Sequence, residues 1–174
     1  MKIRGLVAVT ALALSLLSAP ASEARNQPAD IFSSKSISQI TITISDKSAG
    51  KIARAPKESV PARFAISNDS GSLKYNNLPV DFHLKGTSTL RQNPSLVSSR
   101  PSLRVKFHQN GAIKLPFLGS MSSLTLNSMT QDPSKIHEYT AYKLYNAMGV
   151  PAPRVGYAKV TVVIGGRSYD KGLF

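Results

Sequence analysis

Hydrophobic and polar residues alternate along several short stretches of this chain. In "ISQITITIS", Ile40, Ile42 and Ile44 fall on one face and threonines on the other, the period of a half-buried strand. "ARFAIS" (62–67) predicts a second strand, closed by the turn residues "NDSGS". Val80, Phe82 and Leu84 alternate with Asp81, His83 and Lys85, and Leu103, Val105 and Phe107 with Arg104, Lys106 and His108. "SLTLN" and "VGYAKVTVVI" add two more strands, the last leading into the turn "GGRS". One stretch has the helical period instead. Ile136, Thr140, Leu144 and Met148 follow Asp132 as N-cap and Pro133 as first helical residue, with Gly149 and Pro151 as the stop. "SAGKIARAPKESVP" reads as a basic connector and "QNPSLVSSRPS" as a loop; "QNGA" reads as a turn. Strands, one helix, then a strand predict an α+β fold: a mainly antiparallel sheet with one packed helix.

The N-terminus has a different pattern. Lys2 and Arg4 precede the apolar run Leu6–Leu17, which is too short to span a bilayer, and small residues follow at Ala19, Ala21, Ser22 and Ala24. This predicts a signal peptide over residues 1–24, a flexible lead-in over 25–36 and a domain over 37–174. The product is then exported to the periplasm or the extracellular space, with no transmembrane segment after cleavage. Cleavage after Ala24 removes two basic residues and one acidic residue, taking the formal charge from +13 to +12. Such a charge favours anionic partners, whether phosphorylated ligands, envelope polymers, nucleic acid or a membrane surface. Basic residues are not interleaved with aromatics as a base-stacking platform requires, so no nucleic-acid partner is expected. Without cysteine the chain has neither disulfides nor thiolate metal sites.

No H-E-x-x-H, G-x-S-x-G or Walker A motif is present, and His83, His108 and His137 are scattered. No metal ligand set is assigned. "KGTSTLR" combines Lys85, the flexible backbone at Gly86, the hydroxyls of Thr87, Ser88 and Thr89, and Arg91. It reads either as a polar hairpin loop or as a phosphate-holding loop of close backbone amides, hydroxyls and cations. Lys106 stands opposite the apolar face of its strand, and Glu138 in the first turns of the helix. They are either a solvated lysine and a charge favourable at a helix start, or a strand-lysine and helix-glutamate pair of the kind that holds nucleotide phosphates in kinases.

Taken in order, "LKGTSTLRQ" (84–92), "RPSLRVKF" (100–107) and the long run from "FLGSMSSLTLN" to "GVPAPRVGYAKV" (117–160) resemble the CotH family, the spore-coat protein H-like atypical protein kinases. The match spans about Val80 to Val160. The resemblance implies the N-terminal lobe of such a kinase. Lys85, Gly86, Thr87 and Ser88 would form its phosphate-side loop, Lys106 would be the nucleotide-binding lysine, and Glu138 its helix partner. It also implies ATP with Mg²⁺ or Mn²⁺ as cofactors and secreted proteins as substrates, modified on Ser or Thr. Lys85 stands where the family has arginine and loses the bidentate fork; Thr87 and Gly165 each stand where it has asparagine. The family's catalytic and metal-binding aspartates belong to a second half with no counterpart before Phe174. The expectation is therefore a domain truncated at its C-terminal side, with catalytic residues unknown, that grips nucleotide without transferring phosphate. The alternatives are a basic secreted sheet domain binding anionic envelope polymers or partner proteins, and a decayed remnant that folds poorly.

Overall fold

A computed structural model of the chain describes residues 31–32, 36–69, 74–87, 90, 95–108 and 121–174. The signal stretch 1–24, most of the lead-in and Ser88 lie outside the described residues. Among the described residues, seven strands and two helices follow one another: β1 (Ser38–Ile44), α1 (Asp46–Arg54), β2 (Val60–Ser67), β3 (Lys74–Lys85), β4 (Ser102–Phe107), β5 (Ser123–Leu126), α2 (His137–Ala147), β6 (Ala158–Ile164) and β7 (Arg167–Leu173). The strands form one sheet in the order β5-β4-β3-β2-β1-β6-β7. Every neighbouring pair is antiparallel except β1 with β6. The α+β class and the mainly antiparallel sheet are as the alternation predicts.

The register puts one set of side chains on one face. Ile42 lies opposite both Phe64 and Val162, Val60 opposite Phe82, and Phe82 opposite Val105, which in turn faces Leu124. All of these are buried. The core is therefore the inner face of a single concave sheet. Neighbouring strands lie about 4.8 Å apart, so β2 and β4, with β3 between them, are separated by about 10 Å in a flat sheet. Yet the rings of Phe64 and Phe107 meet edge to face, with centroids 5.1 Å apart. The chain before β4 reaches the far edge strand: Lys171 of β7 is buried and its Nζ donates to the carbonyls of Val97 and Ser99 at 3.2 and 3.0 Å. Burial lowers its pKa, and the Arg100 guanidinium lies 4.4 Å above the Phe174 ring centre. Ile31 is buried in the same core and Phe32 packs against it.

Two prolines are tolerated inside strands because each sits where a ladder is missing. Pro61 precedes the first β2 residue paired with β1, and Pro79 precedes the first β3 residue paired with β4.

The helices differ from expectation. Asp46–Arg54, part of it read as a connector, is α1. Ser45 caps it by accepting from the Ser48 amide at 3.1 Å, Asp46 stands in its first turn, and Lys51 and Arg54 in its last. It buries Ile52 and Ser48 against the sheet. Its polar and apolar positions fall on opposite sides, but only Ile52 is a large apolar residue, so its packed face is made mostly of small residues among cations. The helix foreseen from Asp132 begins only at His137, because Lys135 takes a left-handed conformation (φ 61°) that no helix interior accepts. Asp132 caps the preceding turn, accepting from the amides of Ser134 (3.1 Å) and His137 (3.0 Å). Nor is α2 the packed helix. None of its residues is buried, and Ile136, Leu144 and Met148 are 54%, 55% and 67% exposed. It is tethered by the Tyr139–Tyr157 ring stack (4.9 Å), by Tyr157 Oη donating to the Lys135 carbonyl (2.6 Å), and by Asn146 donating to the Pro153 carbonyl (3.2 Å). Among the described residues no helix is long and apolar enough to cross a membrane.

Candidate functional site

With the inner face spent on the core, the chemistry-bearing side chains of β3 and β4 stand on the outer face. Asp81, His83 and Lys85 lie beside Lys106, Arg104 and Ser102 in register. Beyond Lys85 the chain turns at Gly86, whose φ of 110° is open to glycine and strained for other residues. Thr87 is exposed just after it.

At this end of the face a second loop is fastened on. Ser102 Oγ accepts from the buried Ser128 amide at 3.0 Å and lies 3.2 Å from Ser128 Oγ. The segment that follows carries a left-handed Met129 (φ 50°), and Met129 accepts from the Asp132 amide. The result is a pocket of about 880 Å³, counting space open to solvent, lined by Gly86, Ser102, Ser128, Asp132, His137 and Glu138 among others. Segments far apart in sequence meet there: the glycine loop, the start of β4, the residues after β5 and the first turn of α2.

Glu138 lines this pocket, and its carboxylate accepts from the Asn127 side-chain amide. Lys106 is exposed on the same outer face, opposite Asp81 and Ser123. It stands four residues along β4 from Ser102, about 13 Å at about 3.3 Å per residue. Among the described residues no ion pair joins Lys106 to Glu138. The structure thus gathers Gly86 and Glu138 at one pocket, with Lys85 beside Ser102 at its rim, and leaves Lys106 further along the same sheet face. Three residues not singled out from sequence help build the site: Asn127, which holds Glu138, and the mutually bonded Ser102 and Ser128. All three lie in stretches whose order carried the family resemblance, so the signal was present but assigned no role.

The electrostatics follow from the outer face's cations. Partial burial, then the nearby Lys106 and Arg104, lower the His83 pKa, with Asp81 opposing. Asp132 is held well below the usual carboxylate range, first by the Ser134 hydroxyl and then by His137. Its Oδ1 lies 2.7 Å from His137 Nδ1 and 2.5 Å from Ser134 Oγ, and its Oδ2 takes the His137 amide. Both oxygens are engaged within its own turn. Glu138 is the other carboxylate at the pocket, and no cluster of three or more metal-binding side chains occurs among the described residues.

A second, apolar pocket of about 660 Å³ lies on the core side, between Phe32, Leu124 and Leu126 and the stacked Tyr139 and Tyr157, with Glu138 shared between the two.

No curated protein matches the chain. The family model described as CotH kinase protein matches residues 82–169, from the middle of β3 into β7. That span is just over half of the 174 residues and holds every element that forms the pocket. The chain belongs to the CotH kinase protein family.

Proposed function

We propose that this kinase-like domain binds a nucleotide through its phosphates, at the end of the β3–β4 outer face, and that it is exported from the cytoplasm, with secreted proteins as its partners. One observation carries the reading. The glycine turn after Lys85, the paired serines Ser102 and Ser128, and Glu138 converge on one pocket, beside a cationic sheet face, within the span that matches the family. Phosphate binding requires close backbone, hydroxyl donors and positive charge, and that end of the sheet offers all three. Lys85 to Ser88 are assigned the phosphate-side loop and Lys106 the attraction of the phosphates along the face.

The family implies a divalent metal with the nucleotide, which would neutralise charge on the phosphates. The carboxylates at the pocket do not fit that duty. Asp132 spends both oxygens on Ser134 and His137, and Glu138 is bonded to Asn127. No phosphotransfer step is therefore assigned to these residues, and the 174-residue chain is proposed to bind nucleotide without transferring phosphate. Export rests on the basic head, short apolar run and small residues of the first 24 positions. Protein secreted by the native source is expected to begin at Arg25 by intact mass.

Calorimetric titration with Mg-ATP tests the binding. Saturable binding that Lys106→Ala weakens at least ~tenfold, the scale of one charge-assisted contact, supports it. Nucleotide-indifferent binding to polyanions that collapses with salt refutes it in favour of a basic module docking on envelope polymers.

A further inference from the structure

The outer face of β3 and β4 holds a cation that the lysine-and-glutamate argument passes over. Arg104 sits at its centre. It is opposite His83 on one side and Thr125 on the other, two residues from Ser102 and two from Lys106. Its Nη2 donates to Ser123 Oγ at 3.2 Å. Its Nε is buried and has no hydrogen-bond partner among the described residues. A buried guanidinium nitrogen left unpaired is costly, so it calls for an account. The polar side chains around Arg104 on β4 and β5 are hydroxyls, Ser102, Ser123 and Thr125. The carboxylate on this face, Asp81, lies against His108 at 3.4 Å. No ion pair joins Arg104 to a carboxylate among the described residues.

Position decides which cation serves the pocket. Lys85 lies directly opposite Ser102, at the pocket rim. Arg104 is about 7 Å along the strand from Ser102, and Lys106 about 13 Å. The three cations thus form a row leading away from the glycine turn. A single phosphate cannot meet all of them, whereas a chain of linked phosphates carries its charge over such a length. The guanidinium also offers the planar fork that lysine lacks.

We propose that Arg104, flanked by Lys85 and Lys106, is the central contact for a linear polyphosphate laid along the outer face of β3 and β4. This rests on the nucleotide reading and specifies it: the phosphate chain runs from the Gly86 turn towards Lys106, and an arginine in mid-strand reads it. In the present conformation the terminal nitrogens of Arg104 meet the ligand. Nε gains a partner as the guanidinium swings away from Ser123.

The test uses the 174-residue chain with inorganic triphosphate as probe and Mg-ATP alongside. Arg104→Gln is expected to weaken triphosphate at least ~tenfold, Arg104→Lys to restore part of the loss, and Lys159→Gln, the same loss of charge at an exposed position on β6, to change it less than ~threefold. Urea unfolding of each variant checks that it folds. A second readout needs no variant. His83 faces Arg104 and Lys106 on β4, Ser59 on the β2 side, and Asp81 and Lys85 on its own strand. Triphosphate bound over Arg104 should therefore raise the pH at which the His83 ring titrates by NMR. Unchanged triphosphate affinity in folded Arg104→Gln, or an unmoved His83 titration at saturation, overturns the proposal. If the wild-type chain binds Mg-ATP but not triphosphate, this inference fails and the nucleotide reading stands; if it binds neither, both fail.

Discussion

Replacing Phe64 by alanine tests the concave sheet, because that ring is fully buried and closes the distance between β2 and β4. Truncating a buried phenylalanine removes its transfer free energy and leaves a cavity, together about 3–5 kcal/mol. The edge-to-face pair with Phe107 adds about 0.5–1.5 kcal/mol beyond burial. Single domains are stable by about 5–15 kcal/mol, so Phe64→Ala should remove a large fraction of the total. At a urea slope of about 2 kcal/mol/M, a loss of about 4 kcal/mol lowers the unfolding midpoint by about 2 M. Phe64→Leu keeps most of the volume and should cost about 1.5 kcal/mol or less. A double-mutant cycle with Phe107→Leu isolates the ring pair and should return a coupling within about 0.5–1.5 kcal/mol. A midpoint drop below about 0.5 M for Phe64→Ala, or a coupling of zero, would refute the claim that these rings hold the curvature. Lys106 follows from the same packing: it precedes Phe107, so loosening that ring should weaken Mg-ATP binding as well as the fold.

Three further outcomes are expected. Ser45→Ala removes the cap of α1 and should cost about 1 kcal/mol in urea unfolding, with Ser45→Asn close to wild type. Gly165→Ala places a side chain at φ 54° with its Cβ against the Asp46 carboxylate oxygens; it should lower the thermal midpoint by several degrees, about 1 kcal/mol or more, while Gly166→Asn, at φ 84° with open space around it, should cost less. Asp132 has a folded-state pKa below its unfolded value, so its contribution to stability is present above the unfolded pKa near 4 and is lost as pH falls through the lower folded value. The gap in urea midpoint between wild type and Asp132→Asn should accordingly be widest near pH 6 and close towards pH 2.

The alternation of Ile40–Ile44, Val80–Leu84 and Leu103–Phe107 was legible because a half-buried strand imposes period two on every residue it contains. The hairpin of β6 and β7 was half legible. "GGRS" marks the turn, with both glycines at positive φ, but "RSYDKGL" lacks apolar alternation since β7 is an edge strand, in which Asp170 stands opposite Thr161. α1 was missed because Ile52 is its one large apolar residue, with the small Ala49 and Ser48 completing the packed face. α2 was found but mis-set, since Asp132 caps equally well a helix or the turn that precedes one. The pairing partner of Glu138 was not legible at all. It depends on how the chain leaves β5, and nothing in the spacing from Lys106 to Glu138 encodes that path.

The division of labour between the two sheet faces explains why the site residues sit where they do. In a sheet whose inner face forms the core, every second residue is committed to packing, and the residues between them can vary without disturbing that core. β3 and β4 use that freedom for charge: their outer positions are Asp81, His83, Lys85, Ser102, Arg104 and Lys106, whereas β1 sets Thr41 and Thr43 at the equivalent positions. Threonine suits an outward strand position for its β-branching alone. Lysine, arginine and histidine side by side do not, because like charges on adjacent strands repel; the His83 pKa, lowered first by burial, is lowered further by Lys106 and Arg104. An arrangement that works against the sheet it stands on is what an anion would relieve. Bound phosphate should therefore stabilise the fold as well as occupy the site, raising the thermal midpoint of the chain in proportion to the logarithm of triphosphate concentration above its Kd.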